Sequence, residues 1–317
     1  MSAVAGERVL VTGAAGFIGR HLVQALRDAD ARVHALSGPP GHGLAPLPDS
    51  VPDLRADLAE PGAAEEAVGD ARTVVHAAGP ASVAASFDDP AAFVRVHVEG
   101  TARLLDACRR AGVRRVVLIS SAEVYGRPRS NPVREGHPLR ARSPYGAAKA
   151  GAEQMARAFA DAYGLRAVIL RPFSVYGPGQ PPTSLIGTLL RQAATEDAVR
   201  VHDLRPVRDY CFVRDVAAAV VAACTADLPA LSVFNVGTGR GTSVARLAAL
   251  ALRAAGRELP VEQAGADRPG RAQILRLVAD PTRAAERLGW RAATGLAEGL
   301  AATWREMEAG AAAGAAA

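Results

Sequence analysis

Lysine is almost absent from this sequence. Lysine and arginine together number 37 residues, and Lys149 is the only lysine among them. This imbalance indicates that arginine has replaced lysine wherever positive charge alone is needed. A surviving lysine points to a position that needs a compact ammonium group on a flexible stem. Lys149 is therefore a candidate functional residue before any motif is considered.

Cysteine and long apolar runs are also scarce. The three cysteines, Cys108, Cys211 and Cys224, are irregularly spaced, which predicts neither a disulfide framework nor a zinc site. No stretch approaches the roughly 20 apolar residues of a membrane-spanning helix. The first residues lack the basic and apolar regions of a secretory signal. We therefore expect a protein of the reducing cytoplasm, with no membrane span and no metal.

Runs of like charge are missing as well. The net charge is +5, but the basic residues are scattered along the chain. A solvated surface explains this pattern better than a nucleic-acid site, so we expect no nucleic-acid partner. A few well-placed arginines would instead suit a small anionic ligand. Apolar residues make up 49% of the chain, which is enough to build a full core.

What the sequence does contain is a regular alternation of short apolar strands with helical segments. Helical spacing is visible at 20–26, 91–111 and 147–163. This alternation predicts an α/β fold, a Rossmann doubly wound parallel sheet with helices on both faces. The predicted strands are 8–12, 32–36, 53–57, 73–78, 115–120 and 166–170.

The alternation of strands and helices changes after residue 172, where a loop rich in glycine and proline follows. We predict a Rossmann domain over 1–172, with a strand that returns to its sheet near 233–236. The segments 173–205 and 237–308 are predicted to form a smaller C-terminal lobe that binds the substrate. The Gly/Ala-rich end, 309–317, is predicted to be a disordered tail.

A glycine-rich turn follows the first strand and opens the first helix. Its spacing is G-x-x-G-x-x-G, which allows a tight turn and a close approach of the backbone to a pyrophosphate. The helix N-terminus then offers amide donors to the anion. This context predicts a dinucleotide site in the first domain. The predicted contacts in the turn are Gly13, Ala15, Gly16, Phe17, Ile18 and Gly19.

The second strand ends at Ser37, where a dinucleotide fold normally carries an acidic residue that bonds the adenosine ribose. Because Ser37 carries no negative charge, it does not repel the 2′-phosphate of NADP(H). The sequence therefore favours NADP(H) as the cofactor, with NAD(H) as the alternative. Asp57, followed by Leu58 after the third strand, has two interpretations. It either holds the adenine amino group or caps a helix.

The segment 143–149 reads Ser-Pro-Tyr-Gly-Ala-Ala-Lys. Tyr145 and Lys149 are separated by four residues and so share a helix face. A phenol titrates near pH 10 on its own, and a neighbouring ammonium, helped by an oxidised nicotinamide, is expected to lower that value enough for acid–base work. Ser121, at the end of the fifth strand, is placed to bond the reacting oxygen. The alternative is a surface pair that only packs the helix.

Taken together, the motifs resemble the extended short-chain dehydrogenase/reductases, in particular the nucleotide-sugar epimerase/dehydratase family. The resemblance covers nearly the whole chain, and it implies NAD or NADP as cofactor, a nucleotide-diphosphate sugar as substrate and a homodimer. The motifs that carry it, in chain order, are 13–19, His76-Ala77-Ala78-Gly79, 120–126, Tyr145 to Lys149 and 171–180.

The resemblance also implies roles for individual residues. Ser121, Tyr145 and Lys149 resemble the family's catalytic triad, with Glu123 as a further acid–base candidate. Further cofactor contacts are implied for Ala77, Ala78, Gly79 and Pro172, and substrate contacts for Ser82, Ser121, Ala122, Glu123, Ser174, Arg208 and Arg268. The two arginines correspond to residues that hold a diphosphate, although either could equally form a surface ion pair.

Two departures from the family pattern bear on the reaction. His97 stands where the family usually has Asn, which changes the proton network near the site. Ala122-Glu123 stands where family dehydratases have an acidic pair, and Ala122 has no proton for a departing hydroxyl. We therefore predict that the protein is not a 4,6-dehydratase.

The sequence as a whole predicts oxidation or reduction at C4 of a nucleotide-activated sugar. A 4-epimerase and a 4-ketoreductase share this machinery, and the sequence does not separate them. Two further interpretations stay open: a reductase of a non-sugar ketone, and a non-catalytic NAD(P)-binding regulatory protein. The complete set of Ser121, Tyr145 and Lys149 argues against the second, and the paired arginines argue against the first.

Overall fold

The computed structural model describes residues 4–39, 46–264 and 274–315. The strands within these ranges, in chain order, are β1 (Arg8–Thr12), β2 (Arg32–Ser37), β3 (Asp53–Arg55), β4 (Thr73–His76), β5 (Arg115–Ile119), β6 (Ala167–Pro172), β7 (Ser174–Tyr176), β8 (Val199–Val201), β9 (Val207–Phe212), β10 (Leu231–Val236), β11 (Gly241–Ser243), β12 (Val261–Gln263) and β13 (Arg276–Leu277).

Helices connect most of these strands. They are α1 (Phe17–Asp28), α2 (Ala63–Val68), α3 (Ala85–Asp88), α4 (Pro90–Val94), α5 (Gly100–Arg110), α6 (Pro144–Tyr163), α7 (Leu185–Thr195), α8 (Val213–Thr225), α9 (Val244–Ala254), α10 (Thr282–Leu288) and α11 (Leu296–Ala315). A π-helical turn, Arg95–Glu99, joins α4 to α5 and interrupts the single helix predicted over 91–111. A 3₁₀ turn, Ala122–Tyr125, follows β5.

The main sheet has seven strands in the order β10-β6-β5-β4-β1-β2-β3, and all of its pairings are parallel. This confirms the predicted doubly wound α/β fold. The third strand ends at Arg55 rather than at 57, because the Asp57 carboxylate accepts the Ala59 amide and turns the chain. The strand predicted near 233–236 is β10, which pairs with β6 at the sheet edge.

Apolar side chains cover both faces of this sheet. One face packs against α1 and α8 through Leu22, Leu26 and Val220, and the other packs against α5 and α6 through Leu104, Leu105 and Ala156. All six side chains are buried. The carboxyl ends of the central strands therefore lie at one edge, between two layers of helices that hold them in place.

The C-terminal lobe is built around β9. This strand pairs with β11, β13 and β7, while β8 and β12 form a separate two-stranded sheet. The predicted division of the chain was too simple here. Residues 207–212, which the prediction assigned to neither segment of the lobe, form its central strand. Ala284 and Trp290, which the prediction placed in the lobe, pack into the main core instead. The indole of Trp290 is held there by its hydrogen bond to the Asp215 carbonyl at 2.9 Å.

The C-terminal end also differs from the prediction. The helix α11 runs from Leu296 to Ala315, so 309–315 are helical rather than a disordered tail, and 316–317 lie outside the described residues. Alanine has the highest helix propensity of all residues, and the preceding turns supply the nucleus that a short alanine run cannot form alone. No described helix is long and apolar enough to cross a membrane.

A buried ion pair lies behind α6. The guanidinium of Arg171 donates to both carboxylate oxygens of Glu153, at 2.8 Å and 2.6 Å. Both side chains are almost completely buried. Ser120 donates to the same carboxylate at 2.6 Å. Arg171 also donates to the Tyr125 hydroxyl, and that hydroxyl donates to Asn235. The network therefore joins β5, β6, α6 and β10 with its charges paired.

We expect Arg171→Met to destabilise the protein strongly, since Glu153 would be left in the interior with only the longer 3.7 Å ion pair to the partly exposed Arg157. The expected loss is about 3–5 kcal/mol of unfolding free energy, measured by urea denaturation. The matched control is Arg103→Met, which breaks an exposed pair with Glu99 at 2.8 Å and should cost about 0–1 kcal/mol. Equal losses in the two variants would show that the buried pair has no special role.

Candidate active site

The glycine turn after β1 is packed against the turn after β4. Gly13 has a φ of +69°, and a Cβ there would lie 2.7 Å from the Cα of Ala78. A Cβ on Gly19 would lie 2.0 Å from the Gly13 carbonyl oxygen. Both positions therefore require glycine. The helix α1 starts at Phe17 with no side-chain cap and no acidic residue in its first turn, which leaves its amides free for an anion.

At the adenosine end of the expected cofactor site, Ser37 is buried and Asp57 is already bonded to other residues of the protein. Ser37 is 1% exposed, and its hydroxyl is buried with no hydrogen-bond partner among the described residues. Asp57 accepts the Ala59 amide at 2.9 Å and pairs with Arg95 at 3.0 Å. Asp57 thus caps a turn and not a helix, because α2 begins at Ala63 with Gly62 as its N-cap. Leu58 is buried beside it, and the adenine contact of Asp57 stays a prediction.

The segment after β4 and the end of β6 approach the same edge of the sheet. Ala77 and Ala78 are half-buried, and Gly79 is exposed with a φ of +113°. Pro172 is buried at the last position of β6, paired with Val236. The residues that we expect to line the nicotinamide end therefore come from the carboxyl ends of two parallel strands, β4 and β6, that lie on either side of β5.

Helix α6 places Tyr145 and Lys149 on one buried face. Ser143 caps its first turn by accepting the Gly146 amide at 3.1 Å, and Pro144 occupies the first helical position. Ser121 lies close enough to the Tyr145 hydroxyl to lower its pKa, and its own hydroxyl accepts the Glu123 amide at 3.2 Å. Lys149 is 7% exposed and donates to the Ile119 carbonyl at 2.9 Å. The structure thus brings together the three residues that the sequence selected.

Burial dominates the protonation of this group. It raises the pKa of Tyr145 to about 12, and Ser121 only partly opposes this rise. In the protein without a dinucleotide, desolvation of the phenolate is the main influence on this pKa, and the lowering expected from Lys149 together with an oxidised nicotinamide stays a prediction. Burial lowers the pKa of Lys149 to about 8. Near pH 7 the phenol is neutral and the ammonium is charged.

Glu123 and Arg208 face each other across the site. Burial raises the pKa of the Glu123 carboxyl, and the charge of Arg208 opposes that rise. No described residue donates a hydrogen bond to this carboxylate, and the Arg208 guanidinium donates to the Val207 carbonyl at 3.1 Å. The nearby Tyr210 hydroxyl is buried with no partner among the described residues. A half-buried cation, an acid and a buried phenol are thus available to a polar ligand.

The remaining predicted substrate residues are less closely placed. Ser82 is exposed and accepts the Ala85 amide at 3.1 Å. Ser174 is half-buried at the start of β7, and Ala122 is buried next to Glu123. Arg268 lies outside the described residues. Among the residues described, no group of three or more potential ligands is arranged to hold a metal ion.

Comparison with known proteins identifies the family. The sequence profile of the NAD-dependent epimerase/dehydratase family matches residues 9–237. The chain belongs to this family. This confirms the resemblance and makes the protein a member of an enzyme group within the extended short-chain dehydrogenase/reductases.

Individual relatives cover most of the chain. A UDP-glucose 4-epimerase from Azospirillum brasilense is 34% identical, over 90% of this chain and 87% of its own. A dTDP-glucose 4,6-dehydratase from Streptomyces griseus is 35% identical, over 93% and 92%. The crystal structure of the UDP-glucose 4-epimerase of Thermus thermophilus with NAD superposes with a TM-score of 0.86 at 33% identity, covering 95% of this chain and 99% of that one.

Some residues that shape the site in this family member escaped the sequence analysis. Glu153 lies one helical turn beyond Lys149 and raises its pKa against the effect of burial. Its i+4 spacing on an apolar helix face was a usable signal. Tyr210 directly follows the Arg208-Asp209 pair. The partners of Arg171 carried no signal, since Glu153 and Tyr125 meet it only in the folded protein.

We expect Lys149→Arg to reduce turnover by about a hundredfold or more, although the charge is kept. The buried space around Nζ does not suit a planar guanidinium, which cannot replace a point charge. The measurement is steady-state turnover, with nucleotide binding as a check on folding. The control, Arg157→Lys, makes the reverse exchange two turns along the same helix, where Arg157 is partly exposed. An active Lys149→Arg enzyme would contradict the assignment.

Proposed function

We propose that this protein oxidises and reduces C4 of a nucleotide-diphosphate sugar with NAD(P), and that its net reaction is 4-epimerisation. The observation that carries the proposal is the placement of Tyr145 and Lys149 one turn apart on the same buried face of α6, with Ser121 beside the Tyr145 hydroxyl. That arrangement serves proton transfer at a hydroxyl or ketone. The epimerase relatives support C4 as the reacting carbon.

The fit to a dinucleotide rests on the Gly13 turn and the uncapped start of α1. When bound, the nicotinamide supplies the two-electron redox chemistry that no side chain offers, and its positive charge in the oxidised form favours the phenolate of Tyr145. Gly13, Ala15, Gly16, Phe17, Ile18 and Gly19 would hold the pyrophosphate, and Ala77 to Gly79 with Pro172 would line the other end.

The chain's own groups then divide the work at the sugar. Tyr145 accepts the proton of the 4-hydroxyl and returns it on reduction, while Ser121 bonds the same oxygen. Lys149 keeps a positive charge beside the phenolate. Arg208 suits a diphosphate oxygen because it is half-buried and a guanidinium forms strong paired hydrogen bonds with phosphate oxygens. Glu123 is free to accept a bond from a sugar hydroxyl, and we assign it that contact.

A second candidate is 4-ketoreduction of a keto-sugar with NADPH. The observation in its favour is Ser37, which puts no carboxylate where a 2′-phosphate would lie. Both candidates use the same groups and differ in whether reduced cofactor is consumed. A homodimer and a cytoplasmic location remain predictions of the family resemblance.

The deciding experiment is a panel of nucleotide sugars followed by proton NMR, with and without NADPH. We expect turnover of a UDP- or dTDP-hexose to its C4 epimer without added reductant. Turnover that needs stoichiometric NADPH would instead identify a ketoreductase, and no reaction under either condition would refute the proposal.

Tyr145→Phe should lose about 10²–10⁴ in rate and keep its cofactor binding.

The same panel tests for dehydration. We expect no 4-keto-6-deoxy product and no new C6 methyl signal from dTDP-glucose, GDP-mannose or CDP-glucose. Ala122 cannot protonate a departing C6 hydroxyl, and loss of such an acid costs about 10²–10⁴ in rate. Efficient formation of the methyl group would mean that another acid replaces position 122.

We expect Ser37→Asp to shift cofactor preference towards NAD(H). A carboxylate at the end of β2 repels a 2′-phosphate and can accept bonds from the free ribose hydroxyls. The measurement is the ratio of dissociation constants for NADP⁺ and NAD⁺ in the two proteins. Ser37→Asn is the matched uncharged control. An unchanged ratio in Ser37→Asp would show that position 37 does not contact the ribose.

A further inference from the structure

His97 is buried in the π-helical turn between α4 and α5, and its ring touches two parts of the site. The ring is 5.7 Å from that of Tyr145, centroid to centroid, in an edge-on arrangement. Phe93 lies against both rings, at 5.9 Å and 6.2 Å. At its far side the ring contacts the Pro80 carbonyl through Nε2, at 2.9 Å. His97 thus lies between the catalytic helix and the turn after β4.

The protonation of this imidazole follows from its surroundings. Burial and then the charge of Lys149 lower the pKa of His97 to about 3, and His76 adds to the effect. The ring is therefore neutral near pH 7 and carries one proton. Because the Pro80 carbonyl can only accept, that proton is on Nε2. Lys149, His76 and Tyr145 are the titratable groups that face the ring.

The backbone of His97 is held by a second chain of hydrogen bonds. Thr101 donates to the His97 carbonyl at 2.5 Å and accepts from Nε2 of His76 at 2.9 Å. Since Nε2 of His76 carries the proton, its Nδ1 accepts from Thr12 at 2.7 Å. Thr12 in turn accepts the Ala78 amide at 3.3 Å. The turn after β4 is therefore attached at Ala78 through Thr12 and at Pro80 through His97.

Gly79, between these two attachments, is shaped by the same ring. A Cβ at Gly79 would lie 2.3 Å from Cε1 of His97, and its φ of +113° is unfavourable for any other residue. The imidazole thus fills the space that a side chain at 79 would need. The conformation of the turn and the position of the ring depend on each other.

We infer that His97 is a positioning residue that fixes the cofactor-facing turn Ala77–Pro80 relative to Tyr145. Its Nε2 proton holds the Pro80 carbonyl, and its ring edge supports the phenol. The inference rests on the proposed function only in taking this turn as a cofactor contact. Loss of the donor leaves the Pro80 carbonyl without its bond, so the turn loosens and cofactor binding weakens.

Two substitutions separate the donor from the ring. His97→Phe keeps an aromatic edge beside Tyr145 but offers no donor, and we expect its dissociation constants for NAD⁺ and NADP⁺ to rise about tenfold. His97→Gln restores an amide donor of similar reach and should bind both dinucleotides within about threefold of the wild type. Binding is measured by calorimetry on the full chain, with thermal unfolding as a check on folding.

The matched control is His34→Phe. His34, in β2, also donates from Nε2 to a backbone carbonyl, that of Ala67 in α2, at 3.1 Å. This variant should lose a similar bond without changing dinucleotide affinity. Wild-type affinity in His97→Phe, no rescue in His97→Gln, or an equal loss in His34→Phe would each overturn the inference. Because the readout is binding, it is independent of whether the sugar reaction is an epimerisation.

Discussion

The paired charges of Glu153 and Arg171 are the interaction on which the site depends. Two buried charges are tolerated here because each is neutralised by the other and the remaining polar atoms are bonded to Ser120 and Tyr125. Ser120 precedes Ser121, and Glu153 lies one turn beyond Lys149. The pair therefore fixes the end of β5 against α6, which sets the position of Ser121 relative to Lys149.

Burial is also the main cause of the site's electrostatics. It moves the pKa of Tyr145 upwards and those of Lys149 and His97 downwards, since the charged form of each group is disfavoured away from water. Glu153 limits the effect on Lys149 by supplying a nearby negative charge. The protein by itself thus keeps the Tyr145 phenol neutral. A positively charged group such as an oxidised nicotinamide would have to lie beside the phenol for Tyr145 to act as a base.

Close backbone approaches join the dinucleotide turn to the catalytic helix. Gly13 lies against Ala78, and Gly79 lies against the ring of His97, which in turn contacts Tyr145. Neither glycine in this series has room for a Cβ, so small shifts in one turn are passed on to the next. The glycine turn after β1, the turn after β4 and the ring of Tyr145 are for this reason parts of one packed unit.

The sequence alone determined the local features of this protein. Strand periodicity predicted the parallel sheet, the spacing of Gly13 to Gly19 predicted the turn, and the four-residue interval from Tyr145 to Lys149 placed both on one helix face. These properties depend on neighbours in the chain, so pattern and spacing are sufficient to reveal them. The lone lysine gave an independent indication of the same site.

The tertiary structure decided which distant segments meet. It gave β9 to the C-terminal lobe, buried Ser37, and supplied Arg171 with Glu153 as its partner. It also set the strong desolvation that raises the pKa of Tyr145 in the absence of a cofactor, because the extent of desolvation depends on every element packed around the phenol. A buried charge and a buried hydroxyl have no sequence signature of their own, since their energies depend on what surrounds them in space rather than along the chain.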